Sequence, residues 1–138
     1  MNTYNFEDKD FKNSNIYKEF MDKNGSFGSL KIRAYGASEA IPISGIKVII
    51  YTIFNDNKII FFEGVTNESG LIEKIKLPAP KIGENNLDVP EKQVYNIEAK
   101  YTPDNLDLFY KVNMYDEVCV VQNINIIPDT FERINYGY

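Results

Sequence analysis

From Ser29 onward, apolar and polar residues alternate with a period of two, and this periodicity leaves few folds open to the chain. In the segment "SLKIRAY", Leu30, Ile32 and Ala34 would lie on one face of an extended chain, and the residues between them would lie on the other. This pattern is typical of a β-strand with one buried face. The sequence therefore predicts that the first strand of a sheet begins here.

Six further segments have strand character, and each is bounded by turn-forming residues. Glycine and asparagine tolerate positive φ, and proline cannot donate a ladder hydrogen bond, so these residues end strands. Seven short strands with almost no helical pattern predict an all-β fold, a seven-stranded antiparallel Greek-key β-sandwich with N- and C-terminal extensions. The six segments are "IKVIIYTIF", "IIFFEGVT", "LIEKIKL", "VYNIEAKY", "LDLFYKVNMY" and "EVCVVQNINIIP".

The segment "GVTNESGLIEKIKLPAP" contains a cluster of hydroxyl, amide and carboxyl side chains at residues 66 to 69. Such a cluster is either part of an active-site loop or the polar corner of a scaffold. Gly70 can adopt the positive φ that a tight turn needs, "LIEKIKL" alternates as a strand, and the prolines end that strand. We interpret the segment as a structural corner.

Two polar segments that are rich in aromatic residues flank the alternating region. We predict an N-terminal arm at residues 1 to 28, a β-sandwich domain at residues 29 to 128 and a C-terminal tail at residues 129 to 138. Within the arm, "NSNIYKEFMDKNG" predicts one short helix with Ser14 or Asn15 as its cap. The arm is either flexible or docks through its aromatic rings on its own domain or on a neighbouring copy.

The composition and net charge exclude several classes of partner. The 138 residues, 43% of them hydrophobic and 25% charged, are typical of one globular domain. A net charge of -5 argues against nucleic acid, which requires clustered Lys and Arg. The N-terminus lacks the features of a secretory signal, and no apolar run is long enough to span a membrane. We expect cytoplasmic synthesis, no membrane contact, and a protein that is kept in the cell or released on lysis.

Histidine is absent, and this excludes the most common catalytic and metal-binding chemistries. Without imidazole, Ser-His-Asp, Cys-His and His-zinc sites are unavailable. The single cysteine, Cys119, cannot form an internal disulfide, and its apolar context "EVCVVQ" predicts a buried side chain. We therefore expect no enzyme activity, no cofactor and no metal.

Four segments occur in an order that resembles known sandwich families: "SLKIRAYGASEAIPISGIKVII", "EGVTNESGLIEKIKLPAP", "YNIEAKY" and "VVQNINIIP". They resemble carboxypeptidase-regulatory-like, transthyretin-like and collagen-adhesin B-type sandwiches. The fuller pattern, with "LPAP" before a proline-bearing loop and a closing "QNINIIP", is similar to the sandwich in the pro-region of clostridial spore cortex-lytic proteins. The resemblance covers residues 29 to 128. It implies an Ig-like or transthyretin-like fold and a non-enzymatic module of a spore or surface assembly.

The resemblance to collagen-adhesin B-type sandwiches also implies an internal isopeptide bond. In this chain the bond would join Lys31 to Asn123 or Asn125. The register argues against it, because the position of the required acid holds Ala99 and because Lys31 alternates with buried residues and should face solvent. Exposed strand charges are the favoured interpretation.

Clustered carboxylates suggest two other sites. Glu63 and Glu68 could form the carboxylate pair of a glycosidase, although sequence spacing does not establish their separation. A calcium site needs ligands spaced around a single loop, and the acids of this chain do not have that spacing, so we interpret them as surface charges. The candidate calcium ligands are Glu7, Asp8, Asp10, Asp104 and Asp107.

The abundance of aromatic residues in the terminal segments favours a structural or assembly protein that forms a homo-oligomer or a fibre by strand addition. Its partners would be further copies, other spore or surface proteins, or peptidoglycan. The alternative is a peptidoglycan- or glycan-binding module that uses residues 81 to 93 with Tyr95 and Tyr101. The residues predicted to mediate self-association are Tyr4, Phe6, Phe11, Tyr17 and Phe20 in the arm and Phe131, Tyr136 and Tyr138 in the tail.

Overall fold

The computed structural model describes residues 1 to 36, 40 to 83 and 90 to 127, and these residues form two packed sheets. Most of the elements are strands. In chain order the elements are β1 (Thr3–Asn5), α1 (Lys9–Lys12), α2 (Asn15–Lys23), β2 (Ser26–Gly36), β3 (Ile41–Pro42), β4 (Lys47–Phe54), β5 (Asn57–Val65), β6 (Leu71–Ala79), β7 (Gln93–Tyr101), a 3-10 turn (Thr102–Asp104), β8 (Leu106–Met114) and β9 (Cys119–Asn125).

The two sheets differ in size and in strand direction. The large sheet has the order β1-β5-β4-β7-β8, and in the small sheet β2 pairs with β3, β6 and β9. The pairings β1 with β5 and β2 with β9 are parallel, whereas the others are antiparallel. The all-β sandwich is thus confirmed, but a seven-stranded, wholly antiparallel Greek-key arrangement is not. The predicted count omits β1 and β3, which are too short to show alternation.

The core lies between the apolar faces of the two sheets. As the alternation predicts, β2 buries Leu30, Ile32 and Ala34 against the large sheet, and Lys31, Arg33 and Tyr35 face outward. Burial of a Leu or Ile side chain contributes roughly 1.5 to 3 kcal/mol, so Leu30 and Ile32 each stabilise the sandwich by about that amount. Residues of the large sheet that are buried in the same core include Val48, Ile50, Ile97 and Ala99.

The N-terminal arm is ordered and packs on its own chain. The arm contains β1, whose three residues extend the large sheet by pairing with β5, from Thr3 opposite Lys58 to Asn5 opposite Ile60. The helix predicted in the arm is α2, and Ser14 caps it by accepting a hydrogen bond from the main-chain N–H of Tyr17. The predicted division at residues 28 and 29 falls within β2. The N-terminal boundary thus separates residues that share one core.

A β-bulge interrupts β6 and changes which of its side chains face outward. The register with β2 shifts between Leu30 and Ile32, and Lys74 has a φ of 61°. A left-handed backbone at a residue other than glycine costs about 1 to 2 kcal/mol. The uninterrupted alternation predicted for "LIEKIKL" is therefore wrong, because the bulge turns Glu73 toward Lys31 on the outer face of the small sheet.

Candidate functional site

The polar cluster at residues 66 to 69 is used to build a turn. The hydroxyl of Thr66 is buried, where it donates to the carbonyl of Ile43 at 2.9 Å and accepts from the N–H of Ile46 at 3.0 Å. The side-chain oxygen of Asn67 accepts from the N–H groups of Ser69 and Leu71, which closes the turn. The side chains of Thr66 and Asn67 thus form hydrogen bonds with main-chain groups, and this supports the interpretation of a structural corner.

The two tyrosines assigned to ligand binding differ in accessibility. Tyr95 has an exposed fraction of 0% because it lies on the inner face of β7, and its hydroxyl donates to the carbonyl oxygen of Pro78. Burial raises the pKa of Tyr95. Tyr101 is partly buried against the core. Tyr95 thus lies in the core, whereas a ligand-binding residue must lie at the surface. The reason is that Tyr95 belongs to the set of alternate residues of β7 that face inward.

The aromatic residues of the arm form a cluster within their own chain. Phe6, Phe11 and Phe20 are buried, and Tyr4 and Tyr17 pack against them. The ring centroids of Phe6 and Phe61 are 4.7 Å apart, and those of Phe20 and Phe54 are 5.3 Å apart. Self-association through these residues stays a prediction, but it would require the arm to leave its own sandwich. The tail residues Phe131, Tyr136 and Tyr138 lie outside the described residues.

The side chains considered for an isopeptide bond lie on the outer face of the small sheet. Lys31 forms an ion pair with Glu73 at 3.4 Å, and it stands opposite Val121 rather than opposite an asparagine.

Among the described residues, no group of three or more Cys, Asp or Glu side chains could hold a metal ion. Cys119 is exposed at the edge of the sheet, so the prediction that it is buried is wrong. The reason is that Cys119 lies on the outer face of β9.

Asp116 holds the segment after β6 in place. Its carboxylate accepts hydrogen bonds from the hydroxyl of Ser26 and from the N–H of Ile82, the latter at 2.9 Å. These two donors lower the pKa of Asp116, the Ile82 N–H being the larger cause. The contacts connect the start of β2 to the loop after β6. The structure thus gives Asp116 a positioning role that the sequence did not indicate.

A cavity of about 670 Å³ lies between the end of α2 and the start of β7. Asn24 lines it and is fully buried; its amide nitrogen donates to the carbonyl of Phe20 and to the side chain of Gln93. The side-chain oxygen of Asn24 has no hydrogen-bond partner among the described residues. The charged lining residues are of both signs, so they select no ligand charge. They are Asp22, Lys23, Lys81, Glu91 and Lys92.

The long edge strands β8 and β9 lie on the same side of the sandwich. The hydroxyl of Tyr110 on β8 lies near the backbone of Asn125 on β9, and no strand of the described ranges pairs with the outer edge of either. Phe109 on β8 is 67% exposed and Val121 on β9 is 51% exposed. We call this region the open side. The sequence shows both strands, but their edge position follows only from the pairing of the sheets.

The comparisons with known proteins concern structure alone. No family model and no curated protein sequence matches the chain. The chain is similar in structure to 5-hydroxyisourate hydrolase of Klebsiella pneumoniae, with a TM-score of 0.44 and 13% identity over 71% of this chain and 90% of that one.

Two transthyretin structures are similar in the same way. For transthyretin of Sparus aurata the TM-score is 0.45 and the identity 13%, over 70% of this chain and 90% of that one. For sea bream transthyretin in complex with thyroxine the TM-score is 0.47 and the identity 15%, over 72% of this chain and 86% of that one.

The resemblance to clostridial pro-regions is not shown. Among the described helices none is long and apolar enough to cross a membrane. The assignment as a β-sandwich thus rests on the strand pairings of the chain itself.

Proposed function

We propose that this chain is a non-enzymatic structural or assembly protein whose copies associate through the open side of the sandwich. The observation that carries the proposal is the composition of β9. This seven-residue edge strand, "CVVQNIN", contains no charged residue, no proline and no glycine. Natural sandwiches normally protect their edge strands with such residues, because unpaired N–H and C=O groups can pair with another chain.

The remaining edges of the two sheets have the protection that β9 lacks. In the large sheet, β1 is only three residues long, and β8 carries the exposed charges of Asp107 and Lys111. In the small sheet, β6 contains the bulge at Lys74, charged side chains and Pro78. β9 therefore differs from the other edges in being open to strand addition.

The orientation of β9 directs backbone N–H groups toward its outer edge, where no strand of the described residues pairs with them. The N–H of Ile126 bonds to the carbonyl of Tyr35 on β2. Since the N–H groups of a strand alternate in direction, those of Cys119, Val121 and Asn123 point away from β2. A second copy could accept these hydrogen bonds with its own edge strand, and the exposed side chain of Val121 would become buried between the two strands.

Light scattering on Val121 variants tests the proposal. Size-exclusion chromatography with multi-angle light scattering, over a range of protein concentrations, should give a molar mass above the 15.9 kDa of one chain. Val121→Lys places a charge in the middle of the edge and should give the monomer mass. Val121→Thr keeps a β-branched, uncharged side chain at the same position and should associate as the wild type does.

Two outcomes would contradict the proposal. One is a wild-type mass of 15.9 kDa at every concentration, and the other is an unchanged mass for Val121→Lys. Circular dichroism of each variant establishes that it is folded.

The association with spores that the family resemblance implies stays a prediction, as does the absence of enzyme activity. The glycan-binding alternative loses Tyr95 as a contact residue because that ring is buried.

A further inference from the structure

The outer face of the small sheet is basic, although the chain as a whole is acidic. The outward-facing residues of β6, β2 and β9 include Lys31, Arg33, Lys74 and Lys76 but a single carboxylate, that of Glu73. The net charge of the whole chain is -5. We call this surface the basic face. The outer face of the large sheet differs, because its lysines are interspersed with Glu63, Glu98 and Asp107.

The pairing of strands fixes the spacing of the cations. Lys76 and Ser29 are direct partners, and Ser29 in turn pairs with Cys119. Lys31 and Arg33 are two residues apart on β2, which corresponds to about 6.6 Å along the strand, and neighbouring strands are about 4.8 Å apart. The cationic side chains thus form an array in two directions rather than one isolated charge.

Most of these cations have no carboxylate partner. Lys31 contacts Glu73 at 3.4 Å, and the guanidinium of Arg33 lies 5.0 Å from the ring centroid of Tyr35. Across residues 1 to 36, 40 to 83 and 90 to 127, no acid is within salt-bridge distance of Arg33, Lys74 or Lys76. The positive charge of the face is therefore largely available to an external anion.

The basic face also carries groups that hydrogen-bond neutral hydroxyls and groups that contact C–H surfaces. Ser29, Asn123 and Asn125 supply uncharged polar side chains along β2 and β9. Phe27 is 43% exposed at one end of the face. An open groove of about 390 Å³ runs beside these cations, lined by Ser29, Leu30, Lys31, Glu73, Lys74, Lys76 and Cys119.

We propose that the basic face binds an acidic polysaccharide, a chain of sugars that carry carboxylate groups. The cations attract the carboxylates, the amides and Ser29 bond to the hydroxyls, and Phe27 contacts the C–H face of a ring. The face thus offers a partner to each kind of group on such a polymer. A polyglutamate peptide or an oligodeoxynucleotide carries anionic groups but no hydroxyl groups along its chain, so it would lack the hydroxyl contacts. Charges beyond the Debye length of about 8 Å are largely screened, so acids elsewhere on the chain do not prevent binding.

Charge reversal on the two sheets tests the proposal. Calorimetric titration with polygalacturonate oligomers should show binding that weakens as the salt concentration rises. Lys74→Glu/Lys76→Glu should lower the affinity by about tenfold or more, since two attractive contacts become repulsive. Lys47→Glu/Lys100→Glu changes the net charge equally on the large sheet and should lower it by less than about threefold.

Two comparison polymers distinguish the partner class. Poly-L-glutamate and oligodeoxythymidylate of equal charge should bind more weakly than polygalacturonate. Equal or tighter binding of either would overturn the assignment to a polysaccharide. The site would be refuted by absence of polygalacturonate binding to the wild type, or by equal losses in the two double variants. The Val121→Lys variant retains all four cations, so it should still bind polygalacturonate whatever its oligomeric state.

Discussion

The hydroxyl of Tyr95 on β7 donates a hydrogen bond to the carbonyl oxygen of Pro78 on β6, and this bond joins the two sheets through the core. Both residues are buried. The contact places a polar group where a sandwich is otherwise held by apolar packing. It thereby fixes how the two sheets are positioned relative to each other.

Tyr95→Phe should lower the free energy of unfolding by about 1 to 2 kcal/mol, because it removes the hydroxyl and leaves a buried carbonyl with one partner fewer. Urea denaturation followed by circular dichroism measures this change. Tyr101→Phe on the same strand is the matched control and should change the free energy by less than about 0.5 kcal/mol. Equal effects of the two substitutions would show that the bond does not stabilise the fold.

Stability should fall at alkaline pH because burial raises the pKa of Tyr95 above its ordinary value of 10.0. Above that pH the unfolded chain loses the phenolic proton while the folded chain keeps it, so unfolding becomes more favourable. A single proton changes the free energy of unfolding by about 1.4 kcal/mol per pH unit. Below pH 10 the hydroxyl contributes no pH dependence. Urea midpoints measured from pH 8 to 11 should fall less steeply for Tyr95→Phe, and parallel slopes would contradict the prediction.

Gly70→Ala should destabilise the fold by about 3 kcal/mol or more. A Cβ at Gly70 would lie 2.3 Å from the carbonyl oxygen of Ala34, and the φ of 75° adds strain. Gly45 has a φ of 80°, but a Cβ there would meet no atom within 4 Å. Gly45→Ala is therefore the control for φ alone and should cost about 1 to 2 kcal/mol. Thermal unfolding compares the two variants, and equal costs would exclude the steric clash.

Phe20→Ala should cost about 3 to 5 kcal/mol, because Phe20 has an exposed fraction of 0% and contacts Phe54 and Phe61. Phe27→Ala removes the same ring from a partly exposed position and should cost less than about 1.5 kcal/mol. Chemical denaturation provides both values. A small effect at Phe20 would show that the arm is not part of the core. For the same reason, deletion of residues 1 to 25 should impair folding itself.

Lys74→Gly should raise stability by about 0.5 to 1 kcal/mol, because glycine adopts positive φ without steric cost. Lys76→Gly removes the same charge from an extended strand position and should lower stability by a similar amount. Both variants should bind polygalacturonate about threefold more weakly than the wild type. Denaturation and calorimetry on the same preparations check the two effects separately. A loss of stability in Lys74→Gly would contradict the strain at the bulge.

The repeated alternation was sufficient to predict the strands, because one buried face imposes a period of two on the sequence. It was sufficient for Leu30, Ile32 and Ala34, which are buried as expected. It failed at the bulge, since one extra residue in β6 reverses the faces of the residues beyond it. It failed also for β1, whose pairing depends on β5, a strand more than fifty residues away in the chain.

The candidate surfaces were harder to predict than the strands. The lysines of the basic face lie on β2 and β6, and only the pairing of those strands brings them together. Likewise, "CVVQNIN" appears as an ordinary apolar strand until its place at the edge of a sheet is known. Aromatic residues in the polar arm suggested an external partner, whereas their rings fill the arm's own sandwich. Local patterns do not encode which distant element will cover a ring.

The pairing of β1 with β5 has a consequence for the order in which the chain is made. Thr3 leaves the ribosome 55 residues before its partner Lys58, so β1 cannot pair until β5 has been synthesised. Translation proceeds at about 5 to 20 residues per second, so this interval lasts several seconds. During that time Phe6, Phe11 and Phe20 have no completed core to enter. We therefore expect these three rings to be exposed to chaperones while the strands that cover them are synthesised.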